Sequence, residues 1–113
     1  MANIPISYLS PAASVADIAT NQTGDEYENN GTMVVLIFNS SGNPISVKRL
    51  VQTQPPAPDI CVDNELPCPP GLTILPAVAP RRYNTGLSRV QVRYPDGQAV
   101  NLRIAVVSIP AAL

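Results

Sequence analysis

The apolar run at residues 32–39 constrains the fold of this chain most. It reads Thr-Met-Val-Val-Leu-Ile-Phe-Asn, and it lies between Gly31 and the turn-forming segment 40–44, which ends in Asn-Pro. A short apolar run rich in β-branched residues and bounded by turn residues favours a strand over a helix. We therefore predict a central strand here, buried on both faces. Residues 45–50 follow the turn with alternating apolar and polar character, which predicts a second strand with one wetter face.

A second pair of strand patterns lies near the end of the chain. Between residues 87 and 94, Val90, Val92 and Tyr94 alternate with polar residues, and apolar residues alternate again from 99 to 109. The Pro-Asp-Gly sequence at 95–97 separates the two runs and is a strong turn signal. Residues 87–109 are therefore predicted to form a β-hairpin.

Length and proline content complete the prediction of the fold. The chain has 113 residues, enough for one domain with a modest core, and 13 of them are proline, more than twice the average share of about 5%. We predict an all-β fold, a single small β-sandwich or barrel-like domain over residues 32–113 with about six to eight strands in two packed sheets. The predicted core consists of Val35, Leu36, Ile37, Val47, Val90, Val92, Leu102, Ile104 and Val106.

Two irregular segments are predicted outside this core. Residues 1–31 carry short apolar pieces without a companion face, which predicts an extended N-terminal arm that adds to a neighbouring subunit. The arm residues expected to contact a partner are Ile4, Ile6, Tyr8 and Leu9. Residues 52–71 hold six prolines and both cysteines, which predicts a long Pro-rich loop of the kind that often binds a partner.

The residue types that most catalytic sites need are scarce. The chain has no histidine, no Gly-x-Ser-x-Gly sequence and no phosphate-binding glycine motif. We therefore expect no enzyme activity and no cofactor. A net charge of −1 leaves no basic footprint for nucleic acid or an anionic membrane. No apolar stretch is long enough to span a membrane, and the N-terminus lacks a secretory pattern, so we expect synthesis in a cytoplasm.

The two cysteines have six residues between them. The spacing of Cys61 and Cys68 suits a disulfide-closed loop and not a zinc knuckle, and two free, partly buried thiols are the alternative. Nearby carboxylates at Asp59, Asp63 and Glu65 offer oxygen ligands for Ca²⁺, but ordinary solvation in a loop is the simpler interpretation because the EF-hand pattern is absent. We expect no metal site.

The sequence contains one pair of basic residues next to an aromatic residue, namely Arg81 and Arg82 followed by Tyr83. Such a group suits contact with a carboxylate on a protein partner. The alternative is a turn at the end of a strand, with Tyr83 covering the core. Because the chain has only five aromatic residues and no tryptophan, a sugar-stacking surface ranks second.

Several short patterns within residues 24–109 recur together in a known family. They are Gly24-Asp25, Asn30-Gly31, Phe38-Asn39, the segment Asn43-Pro44-Ile45-Ser46-Val47, Tyr83-Asn84, and the closing Val-x-Val-x-Tyr pattern followed by Ala105-Val106-Val107. In these spacings the chain resembles small β-rich proteins that tailed bacteriophages carry near their capsid genes and that act as capsid decoration or cement proteins. The long loop with Cys61 and Cys68 departs from the shorter linker of that pattern.

The resemblance implies a function and a set of partners. It implies a symmetric oligomer, often a trimer, that sits on the outer capsid surface where neighbouring units of the major capsid protein meet. It further implies that the protein stabilises the shell by bridging subunits. A tail or neck component of the same particle, and a receptor- or glycan-binding module, are the alternatives.

Overall fold

The computed structural model describes residues 2–8, 18–20 and 22–108 of the chain. Within these residues, strands account for most of the regular structure, accompanied by a single α-helical turn and a single 3₁₀ turn. In chain order the elements are β1 (Ala2–Asn3), β2 (Ile6–Tyr8), β3 (Ile18–Ala19), β4 (Asp25–Glu28), β5 (Met33–Asn39), β6 (Ile45–Arg49), β7 (Asn64–Cys68), β8 (Gly71–Leu75), α1 (Pro80–Tyr83), β9 (Arg89–Arg93), a 3₁₀ turn (Ala99–Asn101) and β10 (Leu102–Ser108).

The strands form two mostly antiparallel sheets. Sheet I has the order β1-β4-β9-β6-β7, and sheet II has the order β2-β10-β5-β8, with β3 also paired to β10. Two pairings, β1 with β4 and β2 with β10, are parallel. The predicted all-β class is therefore confirmed.

Strand β5 lies between β10 and β8, as expected of a central strand. Only one of its faces is buried, because Met33, Val35 and Ile37 are at most 5% exposed, whereas Phe38 is 47% exposed. The prediction of burial on both faces is wrong. An antiparallel sheet with one solvated face needs apolar residues only at alternate positions, and in β5 the outward positions are apolar as well.

Both sheets contribute side chains to one core. From sheet I come Tyr27 and the alternate residues of β6 and β9, and from sheet II come those of β5 and β10. The residues predicted for the core belong to it with the exception of Leu36, which is half-buried on the outer side of β5. The core members from the prediction are Val35, Ile37, Val47, Val90, Val92, Leu102, Ile104 and Val106.

The predicted hairpin at 87–109 is wrong, although both of its strands exist. Strand β9 lies in sheet I between β4 and β6, whereas β10 lies in sheet II between β2 and β5. The predicted turn at 95–97 is followed by the 3₁₀ turn, in which Ala99 is buried at 3% exposure. These residues carry the chain across the end of the core from one sheet to the other, so the two strands never pair.

The strands in the described part of segment 1–31 pair with other strands of the two sheets. Ala2 and Asn3 pair with Asp25 and Glu26 of β4, and β2 pairs with β10. Ile4 is 2% exposed, and its N–H donates to the carbonyl of Glu26 at 2.8 Å. Of the apolar residues predicted for the arm, Ile4 thus lies in the core of the chain itself and Ile6 packs against it.

The Pro-rich segment 52–71 contains a strand that the sequence analysis missed. Strand β7 pairs antiparallel with β6, so that Ile45 faces Cys68 and Val47 faces Leu66. Pro67 is compatible with this pairing because β7 lies at the edge of sheet I, where a missing N–H costs little. The irregular stretch therefore ends at residue 63, and we call residues 50–63 the Pro loop.

Candidate functional site

Hydrogen bonds made by side chains within the Pro loop fix its shape. The amide of Gln54 donates to the carbonyl of Cys61 at 2.8 Å and accepts the N–H of Cys61 at 2.9 Å. Near the two ends of the loop, the N–H of Val51 donates to the carboxylate of Asp63 at 2.7 Å. These contacts hold the loop in one shape without a sheet ladder.

A buried arginine joins the two strands from which the Pro loop emerges. Arg49, the last residue of β6, is 0% exposed. Its Nε and Nη2 donate to Oδ1 of Asn64, the first residue of β7, at 3.1 and 2.7 Å. Nη1 donates to the carbonyl of Pro76 at 2.6 Å and lies 3.4 Å from the hydroxyl of Tyr27. The guanidinium therefore ties the base of the loop to the core.

The helical turn α1 packs against the Pro loop. Pro80 stands at its start, where the absence of an N–H is harmless. The carbonyl of Arg82 accepts the N–H groups of Gln52 at 2.7 Å and of Thr53 at 3.1 Å. The hydroxyl of Tyr83 donates to the carbonyl of Val62 at 3.1 Å. The loop and α1 form one supported unit.

This unit presents apolar side chains to solvent. Ile60 is 80% exposed and Val62 is 71% exposed, and Arg81 is exposed on the neighbouring turn. Isolated exposed apolar residues are ordinary, but two of them on a loop fixed by hydrogen bonds offer apolar area to a protein partner. We call Ile60, Val62, Arg81 and Tyr83 the loop face.

The phenol of Tyr83 acts as an uncharged hydrogen-bond donor. Burial raises the pKa of its phenol above the ordinary value, and a hydrogen bond with Cys61 raises it further. The ring packs against the core while the hydroxyl supports Val62. Tyr83 therefore serves first to position the loop.

The structure separates the predicted partner residues into two groups. Arg81, Arg82 and Tyr83 lie together on α1, although Arg82 is half-buried and contacts the loop through its backbone. Ile4 lies in the core and Ile6 packs against it, and their assignment to a partner contact stays a prediction. Tyr8 lies in β2. Leu9 lies outside the described residues.

Sequence reasoning did not single out Ile60 and Val62. They stand in the sequence Asp-Ile-Cys-Val-Asp, two apolar residues inside the segment already expected to bind a partner. An apolar pair in a polar, proline-rich segment is the feature of the sequence that could have indicated them. The sequence does not indicate that hydrogen bonds from Gln54 and Tyr83 hold the backbone of this pair at the surface.

Both cysteines are free thiols. Cys61 is half-buried in the Pro loop, and Cys68 is fully buried at the end of β7. Burial raises the pKa of the Cys68 thiol, outweighing the opposite effects of Thr73 and Arg49. Of the two alternatives left open by the sequence, the structure shows unbonded thiols.

A second apolar surface lies on the outer face of sheet II. Phe38 is 47% exposed, and Leu72 and Ile74 of β8 are 63% and 62% exposed. Phe38 stands directly opposite Leu72, and Leu36 stands opposite Ile74. We call these four residues the sheet II patch.

The outer face of sheet I carries an open depression of about 500 Å³. Lys48 and Glu65 approach within 3.4 Å across it, and Arg93 stands opposite Lys48. Tyr94 is the aromatic residue of its lining, but the ring is 8% exposed and the hydroxyl donates to Asp25 at 2.6 Å. The depression thus offers polar groups without an open aromatic surface.

Comparisons with protein-family models, curated proteins and solved structures give no match for this chain. Across the described ranges, no helix is long and apolar enough to cross a membrane. No cluster of three or more potential metal ligands occurs among the same residues. Asp63, one of the carboxylates considered for Ca²⁺, accepts the backbone hydrogen bond of Val51.

Proposed function

We propose that this chain is a structural virion protein that decorates a bacteriophage capsid and stabilises it by bridging neighbouring capsid subunits. The observation that carries the proposal is the loop face, where Ile60 and Val62 are exposed on a loop that is fixed by hydrogen bonds. The resemblance of its spacings to those of capsid decoration proteins supports the outer capsid as the surface that it binds. The major capsid protein is the proposed partner.

A braced loop suits a permanent protein interface. Binding usually carries an entropy penalty for ordering loops and side chains, and a loop already held in shape avoids much of that penalty. Gln54 and Tyr83 impose this order before any partner arrives. Two exposed aliphatic side chains then supply apolar area, and Arg81 supplies a charge for a carboxylate at the rim.

Stabilisation of a shell follows from mass action. A protein that binds the assembled shell but not its dissociated subunits shifts the equilibrium toward the intact particle. Many copies, each with a modest interface, make this shift large. In this proposal the two sheets form one small β-sandwich, which lies on the outer capsid surface. The protein is made in the host cytoplasm and then binds the shell.

Binding of variants to intact particles tests the proposal. Wild-type protein should co-sediment with purified particles of the encoding phage, and Ile60→Asp or Val62→Asp should weaken binding by a factor of about 30 or more if either residue is a hot spot of at least about 2 kcal/mol. Val100→Asp is the matched control, because Val100 is also exposed, at 85%, but lies on the 3₁₀ turn. Unchanged occupancy of both loop variants would reject the loop face as the contact.

The depression on sheet I favours a second candidate, a receptor- or glycan-binding module of the same particle. Lys48, Glu65 and Arg93 offer charged hydrogen-bonding groups there. We rank it second because sugar sites usually stack a ring on an open aromatic surface, and Tyr94 is buried. Loss of host-cell attachment in Lys48→Ala particles, with shell stability unaltered, would favour this candidate. A tail or neck location would be shown by co-sedimentation with tails and not with capsids.

A further inference from the structure

Strand β8 leaves one side of its backbone without a strand partner. It ends the order of sheet II, and in the described part of the chain it pairs only with β5. An edge strand presents a row of N–H and C=O groups that match those of another strand. In β8 this row extends over Gly71–Leu75.

Natural edge strands usually carry charges that prevent pairing with a second chain. Here the whole segment from residue 66 to residue 80 contains no charged residue. Prolines stand on either side, at 69–70 and at 76. They limit the length of the open edge but do not interrupt it, since β8 itself contains no proline.

The side chains beside this edge are apolar and symmetric about its centre. Leu72 and Ile74 flank Thr73, point outward and are 63% and 62% exposed. If two copies of β8 pair antiparallel about Thr73, Leu72 of each copy faces Ile74 of the other. Directly opposed apolar side chains in an antiparallel pair lie about 4.5–5.5 Å apart between Cβ atoms and stabilise it.

We propose that β8 pairs with β8 of a second copy of this chain, antiparallel and about a two-fold axis at Thr73. The pairing joins the two copies of sheet II into one continuous sheet, and it joins the two sheet II patches into one apolar surface. Phe38 of each copy extends the Leu72–Ile74 contact because it stands opposite Leu72 in the register.

The second copy fits better than an unrelated peptide for two reasons. A two-fold axis brings an apolar residue of one copy onto an apolar residue of the other at each outward position of β8. The lack of charge in residues 66–80 removes like-charge repulsion between identical chains. The result is a dimer, in contrast to the trimer that the family resemblance implies. The contact between the two copies is separate from the loop face.

Sedimentation of the full chain tests this proposal. Wild-type protein should sediment at twice the chain mass of 12.0 kDa. The double variant Leu72→Lys/Ile74→Lys should sediment as a monomer, as should Leu72→Glu/Ile74→Glu, because like charges then face each other across the axis. An equimolar mixture of the two variants should recover the pair through opposite charges. Leu87→Lys is the matched control, because Leu87 is 73% exposed but lies on a turn outside β8. This variant should remain a dimer.

Three results would overturn the proposal: a monomeric wild-type chain at 100 μM, a trimer, or a pair that both charged variants retain. Hydrogen exchange of the wild-type chain provides a second measurement that does not depend on folding of the variants. Amides of residues 71–75 should exchange more slowly as protein concentration rises. Exchange that does not change with concentration would equally contradict the pairing.

Discussion

At the scale of single residues, the base of the Pro loop depends on a buried cation with neutral acceptors. Arg49 is fully buried, and the acceptors that it contacts are a carbonyl, a phenol and the amide oxygen of Asn64. These bonds are already charge-assisted because the donor is a cation. A carboxylate in place of the Asn64 amide would add the attraction between opposite charges.

Asn64→Asp should stabilise the protein. The carboxylate would accept the same two bonds from Arg49 and add an opposite charge, raising the free energy of unfolding by about 1 kcal/mol. Asn64→Leu should lower it by about 1–3 kcal/mol, because two buried donors lose their acceptor. Asn30→Asp is the control, with the same change in net charge at an exposed position. Urea denaturation measures all three, and a destabilised Asn64→Asp variant would contradict this role of Arg49.

Tyr94 links stability to pH. Burial, and then its hydrogen bond to Asp25, raise the pKa of the phenol well above its ordinary value of 10.0. Above pH 10 the unfolded chain loses this proton while the folded chain keeps it. The stabilisation by Tyr94 is therefore complete below pH 10 and declines as pH rises, by up to about 1.4 kcal/mol per pH unit.

Tyr94→Phe separates this effect from those of other groups. The variant should be less stable at pH 7 by about 1–3 kcal/mol, since the buried carboxylate of Asp25 loses a donor. Between pH 10 and 11 its stability should fall less steeply than that of the wild type. Denaturation curves at each pH provide the comparison, and identical slopes would show that Tyr94 does not titrate as described.

At the scale of elements, alternation along β5 separates a core residue from its surface neighbour. Ile37 is 0% exposed, whereas the adjacent Leu36 is half-buried on the outer face. Ile37→Ala should lower the free energy of unfolding by about 2–5 kcal/mol. Leu36→Ala should lower it by only about 1 kcal/mol, because less apolar area leaves water there. Equal effects in denaturant titrations would mean that the assigned inner face is wrong.

The N-terminal strands are structural parts of both sheets. Deleting residues 1–8 removes β1, β2 and the buried side chain of Ile4. The free energy of unfolding should fall by at least about 2 kcal/mol, since loss of a buried isoleucine side chain alone has that effect. Thermal denaturation of the truncated chain checks this expectation. A truncated chain of unaltered stability would support the separate arm predicted from the sequence.

Local sequence patterns predict where strands lie better than they predict which strands pair with each other. The runs that became β5, β6, β9 and β10 were visible because apolar periodicity is a property of neighbouring residues. The turn at 95–97 signals a change of direction, but whether the next strand stays in the same sheet depends on packing of residues such as Ala99. The strand β7 was hidden by Pro67, which is acceptable only because β7 is an edge.

At the scale of the whole molecule, the two proposals use separate surfaces. In the proposed function the loop face contacts the capsid shell, and in the proposed pairing β8 and the sheet II patch join two copies of the chain. The composition of residues 52–71 predicts a binding segment, and that role stays a prediction. The exposure of Ile60 and Val62 could not be predicted from the sequence, because it depends on hydrogen bonds that Gln54 and Tyr83 make with residues distant in the chain.

The rupture temperature of purified shells tests the central claim most directly. Particles stripped of this protein should rupture at a lower temperature than complete particles. Adding back wild-type protein should restore the original value, whereas Ile60→Asp protein should not, and Val100→Asp protein should restore it as the wild type does. Stripped particles that rupture at the same temperature as complete ones would contradict a role in shell stabilisation.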